Sequence, residues 1–233
     1  MKLKIFFAKR ESLKPVCGLF RYDPPEQLGA YGCAVTAGDL IIYTGGWYPT
    51  YLYPALDTCH EDVKDEELTA VNQEFSNYQA RTQIFHPAEA RWSPGPSLQT
   101  ARRNHGCALV EVGGRAGVMV AGGYNSRDKY LSSVEFLDLG PAGAAPDLTN
   151  LRWRRLPEMP RPRADKPVVV DGGERVYVVG GGRGSSNPDN SVISFHKSRS
   201  RWQTTNYNAI TKRSYTTFVR NVPTELNCVS KFE

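Results

Sequence analysis

The chain has 233 residues, 23% charged and 40% hydrophobic, with a formal charge of +5. That is the composition of a soluble globular protein with one good-sized core or two small ones. No apolar run approaches the roughly 20 residues that span a bilayer, and the apolar start at 5–8 is cut off by Lys9 and Arg10, short of the about 7–15 residues of a secretory signal. The charge is uneven: residues 47–81 carry seven acidic side chains against two basic ones, net −5, which leaves 27 basic against 17 acidic, net +10, elsewhere. An acidic partner is therefore expected, and neither a membrane nor, given where the aromatics fall, a nucleic acid.

In chain order, the first strand-like stretch of note is LFRYDPP at 19–25. GCAVTAGD (32–39) and LIIYTGG (40–46) follow, each a short run closed by a glycine turn. An acidic insertion occupies 50–81, and part of it, HEDVKDEELTAVNQEFSNYQ, reads as a short helix with Val63, Leu68, Val71 and Phe75 as a weak stripe. IFHPAEARW (84–92) sets Phe85 and Trp92 seven apart, and the Pro-rich SPGPSLQTARRN (93–104) leads on.

The same order then repeats. GCALVEVGG (106–114) and GVMVAGG (117–123) precede VEFLDL and LRW, where Phe136 and Trp153 lie 17 apart because about ten residues, GPAGAAPDLT, are added. After LPEMPRPRADK (156–166) come VVVDGGE (168–174), RVYVVGG (175–181) and SFHKSRSRW (194–202), with Phe195 and Trp202 again seven apart. KRSYTTFVRNV (212–222) opens a further copy. Arg102, Arg163 and Arg213 stand at the unit openings, 61 and 50 residues apart. Each unit reads as four short antiparallel strands, so the fold class is all-β.

Three features invite chemistry and lose it. VYVVGGGRGSSN (176–187) looks like a phosphate-cradling loop, but a dinucleotide loop opens a helix, and here Pro188-Asp189-Asn190 and another strand follow. His86 and His196 occupy the same slot after the strand aromatic, which marks a solvent-facing strand position rather than a ligand. Cys33 and Cys107 both sit in Gly-Cys-Ala and read as small buried core residues with no base beside them. Five cysteines (17, 33, 59, 107, 228), odd in number and without Cys-x-x-Cys, argue against a disulfide framework or zinc site and for a reducing, cytoplasmic setting. No catalytic residue, metal site or cofactor is assigned.

The apolar run, Gly-Gly, aromatic and spaced Trp, recurring over about 28–220, resemble kelch repeats. The resemblance implies a β-propeller of four-stranded antiparallel blades: 28–98, 99–158 and 159–204 as three near-complete blades, with 1–27 and 205–233 as partial ones. Gly45, Gly46, Gly122, Gly123, Gly180 and Gly181 would be the glycine pairs. Trp92, Trp153 and Trp202 would fill the wedges between blades.

By resemblance to adaptor-type kelch propellers, the links and the loops after Gly-Gly share one partner-binding face. Trp47, Tyr48, Arg102, Arg103, Asn104, Tyr124, Asn125, Arg163, Arg183 and Arg213 would stand there, offered to an acidic peptide or surface. The alternative for the unit-opening arginine is a repeat residue braced against backbone carbonyls. The implied function is a non-catalytic protein-interaction module. The partner classes are cullin ubiquitin-ligase machinery, in which the module would recognise substrate, and actin. A BTB domain of the ligase adaptors finds no room in a chain filled by repeats. The runner-up is a galactose-oxidase-like or sugar-isomerase enzyme, but four dispersed histidines do not assemble copper ligands.

Overall fold

A computed structural model describes residues 28–49, 76–126, 129–183 and 189–209. Its framework is three four-stranded antiparallel sheets met in chain order. Sheet 1 comprises β1 (Cys33–Ala37) and β2 (Leu40–Thr44), then, after the two-stranded ribbon β3 (Trp47–Pro49) and β4 (Ser76–Tyr78), β5 (Thr82–His86) and β6 (Arg91–Gly95). Sheet 2 comprises β7 (Gly106–Val112) and β8 (Arg115–Ala121), then, after the ribbon β9 (Tyr124–Asn125) and β10 (Lys129–Tyr130), β11 (Val134–Pro141) and β12 (Trp153–Leu156). Sheet 3 comprises β13 (Val168–Asp171), β14 (Arg175–Val179), β15 (Ser191–His196) and β16 (Arg201–Asn208). No α-helix occurs among the described residues. The helix expected after residue 60 falls mostly outside them, but its last residues, 76–78, are strand β4, paired in register with Trp47–Pro49.

Sheet 2 is the middle layer, because both of its faces are apolar. Alternate residues of β8 go to opposite sides. Val118 and Val120 join Ile42, Ile84, Leu137 and Trp153 in the core shared with sheet 1. Met119 and Ala121 join Phe136, Val176, Val178 and Phe195 in the core shared with sheet 3. The unbroken run VMVA of β8 is the sequence trace of that two-sided burial.

The aromatic pairs settle into register as their spacing suggests in two units. Phe85 lies opposite Trp92 with ring centroids 5.0 Å apart, and Phe195 opposite Trp202 at 5.2 Å. The middle unit departs. Trp153 faces Leu137, one residue past Phe136, so Phe136 is turned to the sheet 3 side with the Arg154 guanidinium 4.7 Å above its ring. Phe136 is therefore not the counterpart of Phe85 and Phe195; a one-residue difference in register exchanges faces. Trp153 and Trp202 sit at the seams, where their indole N–H groups donate to the Pro96 and Pro157 carbonyls of the unit before.

Candidate functional site

The links between units converge on the ends of the sheets that carry Gly-Gly. There the second glycine of one unit donates its N–H to the carbonyl of the arginine that opens the next: Gly46 to Arg102 at 2.9 Å, Gly123 to Arg163 at 2.7 Å. The approach requires glycine. At φ +69°, a Cβ on Gly122 would lie 2.0 Å from the Arg163 carbonyl oxygen.

The arginines answer through their side chains. Arg102 Nη1 donates to the carbonyls of Gly122 and Ser133 (2.6 and 3.1 Å), and Nη2 to Ser133 Oγ and Glu135 Oε1 (2.9 and 2.6 Å). Arg163 repeats this with Gly180 O, Ser191 O and Ser191 Oγ (2.6, 3.1 and 2.6 Å). Both side chains are buried. Burial pulls each guanidinium below its ordinary pKa, against the attraction of Glu135 for Arg102 and of Asp189 for Arg163. Arg102 and Arg163 therefore brace their own units and are not offered to solvent. This corrects their expected place on the partner face: the recurring serine and glycine carbonyls supply the acceptors that the guanidinium forks need.

Arg103 has the opposite fate. Its backbone bridges Tyr124, joining the end of one link to the residue after Gly-Gly. The equivalent bridges in the other units are Ala30 to Trp47 and Ala164 to Gly182, so only this unit places a long side chain in the slot. The guanidinium lies among four rings: Trp47 at 5.2 Å, Tyr78 at 5.3 Å, Tyr124 at 5.5 Å and Tyr31 at 5.8 Å from Cζ to centroid. Each is within cation–π range. Tyr130 extends the cluster, its ring 5.4 Å from that of Tyr124. Arg103 is only half-buried, has no ion pair or hydrogen-bond acceptor among the described residues, and keeps a buried Nε without a partner. An arginine with its faces covered by π-systems and its donors unmet is prepared to receive an in-plane anion.

No protein-family model matches the chain, and no curated protein matches it in sequence.

The other expected contact residues separate around this box. Trp47 and Tyr124 are walls of it. Tyr48 is on β3 beside them, opposite Asn77. Asn104 is buried, at φ +54°, with Oδ1 unpartnered. Asn125 is buried and donates to Ala101 O at 3.2 Å. Arg183 is exposed next to the Ala164–Gly182 bridge, in the neighbouring unit. Arg213 lies outside the described residues.

Sequence reasoning missed Tyr31, Tyr78, Glu135 and His105. His105 is fully buried, its Nε2 3.0 Å from Thr44 Oγ1 and its Nδ1 unpartnered. Burial pushes its pKa down to about 3, helped by the charges of Arg102 and Lys166. It is a neutral spacer under the glycine pair of sheet 1, as a Cβ on Gly45 would come 2.7 Å from its ring.

Cys33 and Cys107 are joined in a disulfide across the seam between sheets 1 and 2. This overturns the reading of both as unpaired core thiols, and with it the support they gave to a reducing compartment. The reason is register. Cys33 lies opposite Thr44, while Cys107 lies opposite Val120, one residue short of the corresponding place. The two Gly-Cys-Ala triplets are thus offset by one residue in their ladders. That turns Cys33 towards sheet 2 and Cys107 towards sheet 1.

Proposed function

We propose that the chain is a kelch-type β-propeller module, or part of one, whose link face holds an acidic segment of a protein partner. The single observation that carries the reading is the Arg103 box: a cation among four aromatic rings, half-open to solvent, with no anionic partner among the described residues. Tyr and Trp supply contact area at small entropic cost, and an aromatic-ringed arginine that becomes desolvated on binding is what an interaction hot spot is made of. The propeller reading is supported by three antiparallel sheets stacked through two cores, with the same glycine–arginine latch at both described seams; repeated units that bury their faces only against neighbours form such stacks. The module has no catalytic role in this reading and works in the cytoplasm, in substrate recognition for a cullin-type ligase or in cytoskeletal binding; filament cosedimentation separates the second from the first.

A random peptide library selected on the immobilised full chain tests the reading. The expected winners are rich in Asp and Glu, and their binding falls at least tenfold in Arg103→Gln. Winners without carboxylates, or equal binding to the variant, would sink it.

A further inference from the structure

We infer that the Cys33–Cys107 disulfide is a thiol-exchange site that sets the geometry of the Arg103 box, so that a small cellular thiol modifies the chain there and alters the box. Four observations lead to it. The bond joins β1 to β7, strands that belong to different sheets and share no backbone ladder. Both cysteines are only partly buried, and both line an open groove of about 640 Å³ between β1, β7 and β13. Lys166 lines the same groove, a cation in place to attract a thiolate and to favour the one that leaves. The chain on either side of the bond runs straight into the box: Tyr31 is two residues before Cys33, Arg103 is four before Cys107, and the Asn104 N–H donates to the Tyr31 carbonyl at 2.8 Å. The disulfide therefore holds the Tyr31 wall against the Arg103 guanidinium.

The chemistry is ordinary exchange. A thiolate such as that of glutathione attacks one sulfur of the bond. The Cys33–Cys107 bond breaks, a mixed disulfide forms on the attacked cysteine, and the other cysteine leaves as thiolate. A second thiolate attacks the mixed disulfide, releasing oxidised glutathione and leaving two free cysteines. The protein bond is reduced by two electrons and two molecules of glutathione are oxidised. In a reducing compartment a disulfide of this kind is a transient or sensing bond rather than a permanent staple.

The inference takes the box as the contact site from the proposed function, but its test needs no partner, so its failure would be separable from failure of that reading. The full chain, oxidised and 15N-labelled, is treated with reduced glutathione without denaturant. Reduced glutathione adds to an existing disulfide and not directly to a free thiol, and peptide mapping separates Cys33 and Cys107 from the other cysteines. The expected result is a glutathione adduct on Cys33 or Cys107, or the freed pair of thiols that the second step leaves, accompanied by a shift of the Arg103 Nε–H resonance, which four ring currents make distinctive. The amide of Gly173, in the turn between β13 and β14, stays unmoved. Cys33→Ala/Cys107→Ala reproduces the shifted Arg103 position and no longer responds to glutathione. Persistence of the intact Cys33–Cys107 disulfide, with neither adduct nor freed thiols, while the chain is folded would overturn the exchange site. An adduct with an unmoved Arg103 signal would overturn the coupling, as would joint loss of the Gly173 signal, which would make the bond a global staple.

Discussion

Arg102 and Glu135 form an ion pair with both side chains wholly out of solvent, Nη2 to Oε1 2.6 Å. The pair is fully partnered: Glu135 also accepts the backbone N–H groups of Gln99 and Thr100 at 2.6 and 3.0 Å. It ties the link before sheet 2 to the middle of that sheet. Burying two charges is tolerable only under such complete pairing, and removal of one partner strands the other. Glu135→Ala is expected to destabilise the chain by about 3–5 kcal/mol, measured by urea unfolding. A loss under about 1 kcal/mol, the level of an exposed pair, would contradict the burial.

The glycine–arginine latch makes a position-specific prediction. Gly122→Ala places a Cβ at φ +69° against the Arg163 carbonyl, whereas Gly113→Ala, at φ +62°, meets nothing within 4 Å. Both carry the backbone strain of a left-handed residue, about 1 kcal/mol or somewhat more. Gly122→Ala has to break the latch as well. It is expected to lower the unfolding midpoint clearly more than Gly113→Ala; equal effects would mean that the close approach does not matter.

His105 predicts a pH dependence. Its folded pKa of about 3 lies below the ordinary 6.5, so between those values the unfolded chain binds a proton that the folded chain refuses. Stability is unaffected by this group above pH 6.5 and falls as pH drops towards 3, with a limiting slope of about 1.4 kcal/mol per pH unit. His105→Gln removes that contribution. Unfolding free energies from pH 7 to 4 should therefore fall less steeply in the variant, and parallel curves would refute the assignment.

Trp153 and Trp92 hold comparable positions in β12 and β6 with unequal partners. The Trp153 indole donates to Thr82 Oγ1 and Pro96 O at 3.1 and 3.0 Å within a buried seam. Trp92 stacks on Phe85 and has no hydrogen-bond acceptor among the described residues. Replacing either by Phe keeps an aromatic ring. Trp153→Phe leaves Thr82 Oγ1 and Pro96 O without that donor and should cost about 1–3 kcal/mol, while Trp92→Phe should cost little; thermal unfolding of the two variants compares them directly.

Much of this architecture was legible in the sequence because it recurs. The Gly-Gly pairs, the strand order and the Phe–Trp spacing gave the four-stranded units, and burial of every second residue filled the cores. The residues of the candidate site carry the opposite signal, a break in the repeat. Arg102 shares its slot with Arg163 and belongs to the repeat. Arg103 shares its slot with Ala30 and Ala164, so its side chain serves nothing that the repeat needs. Adjacent arginines of equal charge thus take opposite roles, and charge counting does not separate them. Tyr78 has no local sequence signal because its strand pairs across the insertion with β3, a contact set by tertiary structure rather than local pattern. Cys33 and Cys107 looked equivalent in their triplets, and only the one-residue offset of their ladders brings the sulfurs together.

Arg103 is proposed as the anion-receiving centre of the chain. Its Nε–H resonance, followed by 15N-resolved NMR while the full chain is titrated with an acidic peptide chosen by selection, tests that claim at the atom concerned. The account predicts a saturable shift of the Arg103 signal at one peptide per chain, with the buried Arg102 and Arg163 signals unmoved. Saturation of binding with the Arg103 signal fixed in place would contradict it.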